Sequence, residues 1–165
     1  GGYGDVISPA SDAPLVAGDV LMLDTGLVWD GYFCDFDRNF SLGPSDAQTE
    51  AAHARLIEAV DAAAHIARPG ATAAQLFHAM DAIVTGGKGG SDAGRLGHGL
   101  GMQLTEGLSL IPQDHTVLEP GMVITLEPGI ETGECRMLVH EEDILITEGA
   151  AVFLSPRSGP AMVQL

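Results

Sequence analysis

Basic residues are scarce in this chain: seven Lys and Arg stand against 23 Asp and Glu, for a formal charge of -16. Nucleic acids and anionic membranes are bound through clustered Lys and Arg, so neither is expected as a partner. Cysteine is almost missing too. Cys34 and Cys135 allow at most one disulfide and fit no zinc spacing, which points to a reducing compartment, with the cytoplasm as the expectation. No apolar run approaches the roughly 20 residues of a membrane span, and GGYGDVISPA at the N-terminus has no basic region followed by an apolar stretch. Phosphate-binding loops are absent: there is no Walker sequence, the GGKGG at 86–90 lacks the required spacing, and no GxGxxG follows a strand. Short tandem repeats and low-complexity tracts are absent as well.

What remains is enough for one domain with a core, since the 165 residues are 45% hydrophobic. The chain opens on Gly1-Gly2-Tyr3-Gly4 without a methionine, and it is read as a piece of a longer polypeptide. Residues 19–40 read as a hairpin, with Val20-Leu21-Met22-Leu23 and Tyr32-Phe33 flanking the turn dipeptide Asp30-Gly31. Ser45 with Gln48 reads as a capping box for a helix whose inner face is Leu56, Ile57, Val60, Ala64 and Ala67, stopped by Pro69-Gly70. Thr72 with Gln75 opens a second helix with Leu76, Phe77, Met80, Ile83 and Val84 inward, ended by Gly86-Gly87. Gly86 to Gly94 is the expected mobile loop. Residues 121–130 and 137–147 are the best later strands on β-branched content, so the class is α+β with a mostly antiparallel sheet.

A two-residue turn at Asp30-Gly31 pairs Trp29 with Tyr32, sets Asp24 opposite Asp37 and Gly26 opposite Asp35, and puts Asp24, Asp35 and Asp37 on one face. Like charges held that close call for a compensating positive charge, and a metal ion supplies it; an exposed acidic patch is the alternative. His98 lies in Gly97-His98-Gly99-Leu100-Gly101, where the glycines would let the backbone crowd a bound group. Glu127 ends an apolar strand before Pro128-Gly129, and Glu142 lies within VHEEDILIT on the same face as His140.

The segments GDVLMLDTGLVWDGYFCDFDRNFSLG, GHGLGMQLTE, LEPGMVITLEPGI and HEEDILIT resemble the successive signatures of the M24 metallopeptidases, whose pita-bread (creatinase/aminopeptidase-like) fold serves methionine aminopeptidases, Xaa-Pro aminopeptidases and prolidases. The resemblance spans nearly the whole chain, and Asp35 follows Asp24 at the family's spacing of eleven. It implies a curved, mostly antiparallel sheet backed by helices in two pseudo-symmetric halves. Residues 1–165 would be the catalytic domain with its first half incomplete, lacking the N-terminal helices and any preceding domain. Residue by residue, Asp24 would chelate one metal, His98 and Glu127 the other, and Asp35 and Glu142 would bridge them. Glu127 and His98 would be the catalytic pair, with Glu127 as general base. The implied cofactor is two divalent metal ions, manganese or cobalt first and iron or zinc next, sharing a bridging hydroxide. The implied partners are a small peptide or other small-molecule substrate and, as in relatives, a second copy of the chain in a homodimer.

The resemblance has gaps. Family peptidases carry a second histidine seven residues after the metal-binding one, where this chain has Thr105, and usually a histidine upstream of the first ligand strand, where residues 1–23 have none. The LVHEED wording resembles the branch containing a dimethylsulfoniopropionate lyase, but that lyase has an acidic ligand where this chain has Gly26. Three readings stay open: an Xaa-Pro-type aminopeptidase or dipeptidase, a lyase or amidohydrolase of the same fold acting on a small metabolite, and a metal-free interaction module. Asp37, Thr105 and His140 are candidates for substrate binding or for the surroundings of the metals. Asp37 is expected to point inward rather than to pair with Arg38, because adjacent strand residues face opposite ways.

Overall fold

The computed structural model describes residues 10–90, 94–133 and 136–165. Part of the expected mobile loop, residues 91–93, and Cys135 lie outside the described residues. Two long strands, β1 (Val20–Trp29) and β2 (Tyr32–Ser41), pair antiparallel from Trp29↔Tyr32 to Val20↔Ser41. The expected register is found because Asp30 and Gly31 both take positive φ, 53° and 89°, the turn whose twist matches that of the strands.

Helix α1 (Ala47–Ile66) starts one residue later than the Ser45 box implies: Asp46 is the N-cap and accepts from Thr49 N, while the Ser45 hydroxyl turns to Glu50. Either residue type caps a helix, and Asp46 is the one placed before a free N–H. Helix α2 (Ala73–Val84) carries the full Thr72/Gln75 capping box. The inner faces of both helices meet in one core, where Leu56, Val60, Leu76, Phe77 and Met80 are fully buried with Ile124, Leu126, Ile144 and Ile146. Each such side chain contributes about 1.5–3 kcal/mol by leaving water. Ala64 and Ile83 pack at the margin of this core.

The remaining strands are β3 (Gly99–Leu100), β4 (Val123–Leu126), β5 (Gly129–Gly133), β6 (Arg136–Val139), β7 (Glu142–Leu145), β8 (Val152–Phe153) and β9 (Val163–Gln164). They form a β3-β4-β7-β8 sheet and a β5-β6 pair, while β9 joins β2 as the one parallel contact among the described residues. The two long strands expected at 121–130 and 137–147 are each divided, at Glu127-Pro128 and at His140-Glu141. Proline has no N–H for the ladder, so the pairing lapses there. The register is nevertheless the same on both sides, Leu126↔Glu142 before the gap and Gly129↔Val139 after it. Glu127 therefore falls opposite Glu141. Among the described residues no helix is long and apolar enough to cross a membrane.

Candidate metal centre

Strand alternation sets Asp24, Asp35 and Asp37 on one face of the β1-β2 hairpin, with Asp24 directly paired to Asp37. The β3 segment brings His98 to this face, its Nε2 lying 3.6 Å from Asp35 Oδ2. The other ring nitrogen, Nδ1, is 3.0 Å from the Gly99 carbonyl. A carbonyl accepts only, so Nδ1 carries a proton, and Nε2 is the ring nitrogen turned toward the carboxylates. A metal-ligating histidine is oriented in this way, its other ring N–H held by a backbone carbonyl.

The glycines around His98 serve the neighbouring backbone rather than a bound group. A Cβ at Gly97 would lie 2.2 Å from the Thr125 carbonyl oxygen, and one at Gly99 would lie 2.1 Å from that of Glu106. The strand bearing His98 is squeezed between two other segments, and the Thr125 N–H donating to the His98 carbonyl at 2.8 Å fixes its depth.

At the gap in the ladder Glu127 and Glu141 face the same space. Asp35, His98 and Glu141 each offer a ligand atom, and these atoms lie within 4.8 Å of one another. Glu141 is 3% exposed and its Oε1 has no hydrogen-bond partner among the described residues. Burial, reinforced by Glu127, Asp35 and Asp37, pushes its carboxyl up to about 11. Burial likewise raises Glu127 and Asp24, and Asp35 adds repulsion to both. Burial would lower His98, but Asp35 and the Gly99 carbonyl outweigh it and hold the imidazole above its ordinary value. Oxygen donors that repel one another around an imidazole Nε2 fit divalent cations, which would favour the ionised carboxylates and the neutral imidazole together.

Glu142, expected as a bridging ligand, faces the other way. Its carboxylate takes Arg38 Nη2 at 2.9 Å, the Ser155 hydroxyl at 2.7 Å and His140 Nε2 at 3.2 Å. Burial pushes it up, but His140, Ser155 and Arg38 together hold it below the ordinary glutamate value. The physical reason is parity: Glu142 alternates with Ile144 and Ile146, both buried in the helix-backed core, whereas Glu141 and Asp143 lie on the opposite side. That alternation was the signal available in the sequence for Glu141, obscured by the equally apolar Leu145. Asp143 also borders the centre; burial, with repulsion from the Asp35 carboxylate, pushes it up to about 6 against the lowering effect of the Asp35 N–H, which donates to its Oδ2 at 3.1 Å.

Asp37 does point inward and is 2% exposed, too deep to meet a substrate directly. Its Oδ1 accepts from the Glu141 N–H at 2.9 Å and lies 3.6 Å from His140 Nδ1. His140 is buried between Asp37 and Glu142, with its ring edge-on to His53 at 6.0 Å. Thr105 is exposed on the loop after β3. Neither Thr105 nor His140 belongs to the group of Asp35, His98 and Glu141.

The model of metallopeptidase family M24 matches residues 4–148, and the chain belongs to that family. It is 39% identical over 144 residues to the uncharacterized peptidase YqhT of Bacillus subtilis, covering 84% of this chain and 40% of the relative. It is 34% identical to the Xaa-Pro dipeptidase of Pyrococcus furiosus, covering 86% of this chain and 41% of the relative. The dipeptidase PepE structure from Mycobacterium ulcerans superposes with a TM-score of 0.88 at 28% identity, over 98% of this chain and 44% of that one. The X-Pro aminopeptidase of Thermotoga maritima gives 0.87 at 27% identity, over 99% of this chain and 46% of that one. The fold is therefore the α+β pita-bread fold, and the chain spans about two fifths of the length of the curated relatives it matches.

Proposed function

We propose that this chain is the ligand-bearing part of a dinuclear-metal hydrolase of the Xaa-Pro aminopeptidase or dipeptidase type. The observation that carries the reading is His98, whose Nδ1 is taken up by the Gly99 carbonyl and whose Nε2 faces Asp35 while Glu141 converges on the same point. Asp24, Asp35, His98, Glu127 and Glu141 would hold the cations, with Glu141 in the place the family resemblance had assigned to Glu142. Two divalent cations, manganese or cobalt by preference, supply a nucleophile at neutral pH and polarise a carbonyl oxygen when bound. Around them Glu127, its carboxyl raised by burial, is suited to take a proton and hand it to the leaving amine. The substrate would be a small peptide, the enzyme a homodimer, and the compartment the cytoplasm.

The lyase reading loses support at Gly26. A Cβ there would lie 2.3 Å from the Cys34 carbonyl oxygen of the paired strand, so this backbone has no room for the additional acidic ligand. The test is to measure metal content in the natural polypeptide, then assay Xaa-Pro dipeptides beside dimethylsulfoniopropionate before and after chelation. Dipeptide cleavage lost on chelation and restored by manganese or cobalt is the expected result. Full activity with no bound metal, or turnover of the sulfonium compound alone, overturns the proposal.

A further inference from the structure

Two adjacent glutamates, Glu141 and Glu142, have opposite fates, and both backbone groups of Glu141 are gripped by consecutive side chains of β2. At the gap between β6 and β7 the Glu141 N–H lacks a strand partner and donates to Asp37 Oδ1 at 2.9 Å. Its carbonyl accepts from Arg38 Nη1 at 3.1 Å. Arg38 Nη1 also reaches the Asp37 carbonyl at 2.5 Å, while Nη2 binds Glu142 Oε2 at 2.9 Å and the Pro156 carbonyl at 2.7 Å. Adjacent strand residues point to opposite sides, so Asp37 and Arg38 hold the Glu141 peptide from its two sides.

We infer that Asp37 and Arg38 form a clamp that selects Glu141, and not Glu142, as the carboxylate presented to the metal centre, with Asp37 as the positioning residue on the metal side. This rests on the assignment of Glu141 as a ligand. The ladders on both sides of the gap share one register and the His140 N–H donates to the Pro128 carbonyl at 3.2 Å, but the Glu141 N–H and carbonyl take their partners from β2. A change of one residue in register would exchange the faces of the two glutamates. Charge is not what Asp37 supplies here, because an acceptor oxygen at the same place suffices for the N–H. His140, facing Asp37 through Nδ1 and Glu142 through Nε2, fills the space behind the clamp.

The test compares Asp37→Asn, which keeps an acceptor, with Asp37→Ala, which does not, by titrating the metal-free natural polypeptide with manganese and with cobalt in a calorimeter. Asp37→Ala is expected to lose about 10–100-fold in metal affinity, the range for groups that orient a ligand, and Asp37→Asn to stay within about threefold. Should Asp37→Ala not fold, Asp37→Val, which keeps strand propensity, takes its place with the same expected loss. Undiminished affinity in the acceptor-free variant overturns the clamp, as does an equal loss in Asp37→Asn. Glu141→Gln is run alongside: if it alone keeps full affinity, the ligand assignment has failed, whereas its loss with an unaffected Asp37→Ala condemns only the clamp.

Discussion

Glu141 and Glu142 are the same residue type, adjacent in sequence and buried to 3% and 1% exposure, yet they sit in opposite chemical worlds. Glu142 is surrounded by donors from Arg38, Ser155 and His140, and its carboxyl is held low. Glu141 meets Glu127, Asp35 and Asp37 instead, and its carboxyl is driven to about 11. The first environment satisfies an ionised carboxylate by itself; the second does so only with a cation added. Burial alone therefore does not separate the two acids, whereas the sign of the groups around each does.

The sharpest way to break this comparison is to neutralise each glutamate in turn. Glu141→Gln is expected to lower peptide turnover by more than about 100-fold, beyond the cost of removing an orienting group. Retention of full turnover would place the centre elsewhere. Glu142→Gln should leave metal stoichiometry intact, measured by elemental analysis on folded protein, but cost about 3 kcal/mol in urea unfolding because Arg38 loses its buried partner. Loss of one metal ion with unchanged stability would reverse the two assignments.

A smaller effect is expected at Gly99, where a Cβ would meet the Glu106 carbonyl oxygen at 2.1 Å. Gly99→Ala should destabilise by about 1–3 kcal/mol through overpacking, and metal affinity should fall with it if His98 is displaced. A stable variant with weakened metal binding would show that the glycine serves the site and not the backbone packing. The smallest effect concerns Asp114, outside the carboxylate cluster. Burial would raise it, but bonds from Thr116 and from the Ser109 amide hold it below its ordinary value. A lowered folded-state value means that its stabilising contribution is complete above the unfolded value and is lost as the pH falls through the folded one. The urea midpoints of wild type and Asp114→Asn should thus converge on going from pH 6 toward pH 3. A constant difference would assign the effect to packing.

Much of the ligand hairpin was legible in the residues alone. Asp30-Gly31 admits the positive φ values of a two-residue turn, and once that turn is set, strand geometry dictates every pair up to Val20↔Ser41. The Thr72/Gln75 box marks the start of α2 for a similarly local reason, since donor and acceptor lie within one helical turn. At α1 two adjacent residues could cap, and local chemistry did not separate Ser45 from Asp46.

Other features depend on contacts between residues far apart in sequence. The break at His140-Glu141 follows from Pro128 across the ladder, and the orientation of Glu141 follows from Asp37 and Arg38 more than 100 residues earlier. The glycines beside His98 pointed by composition to a crowded backbone, but only the fold identified the crowding groups as Thr125 and Glu106. The shared face of Asp24, Asp35 and Asp37 was thus readable from turn geometry, and the convergence of His98 on Asp35 needed the fold. Which of Glu141 and Glu142 faces Asp35 and His98 was decided by tertiary structure, because a strand's parity is a local property while the face it presents is set by what packs on either side of it.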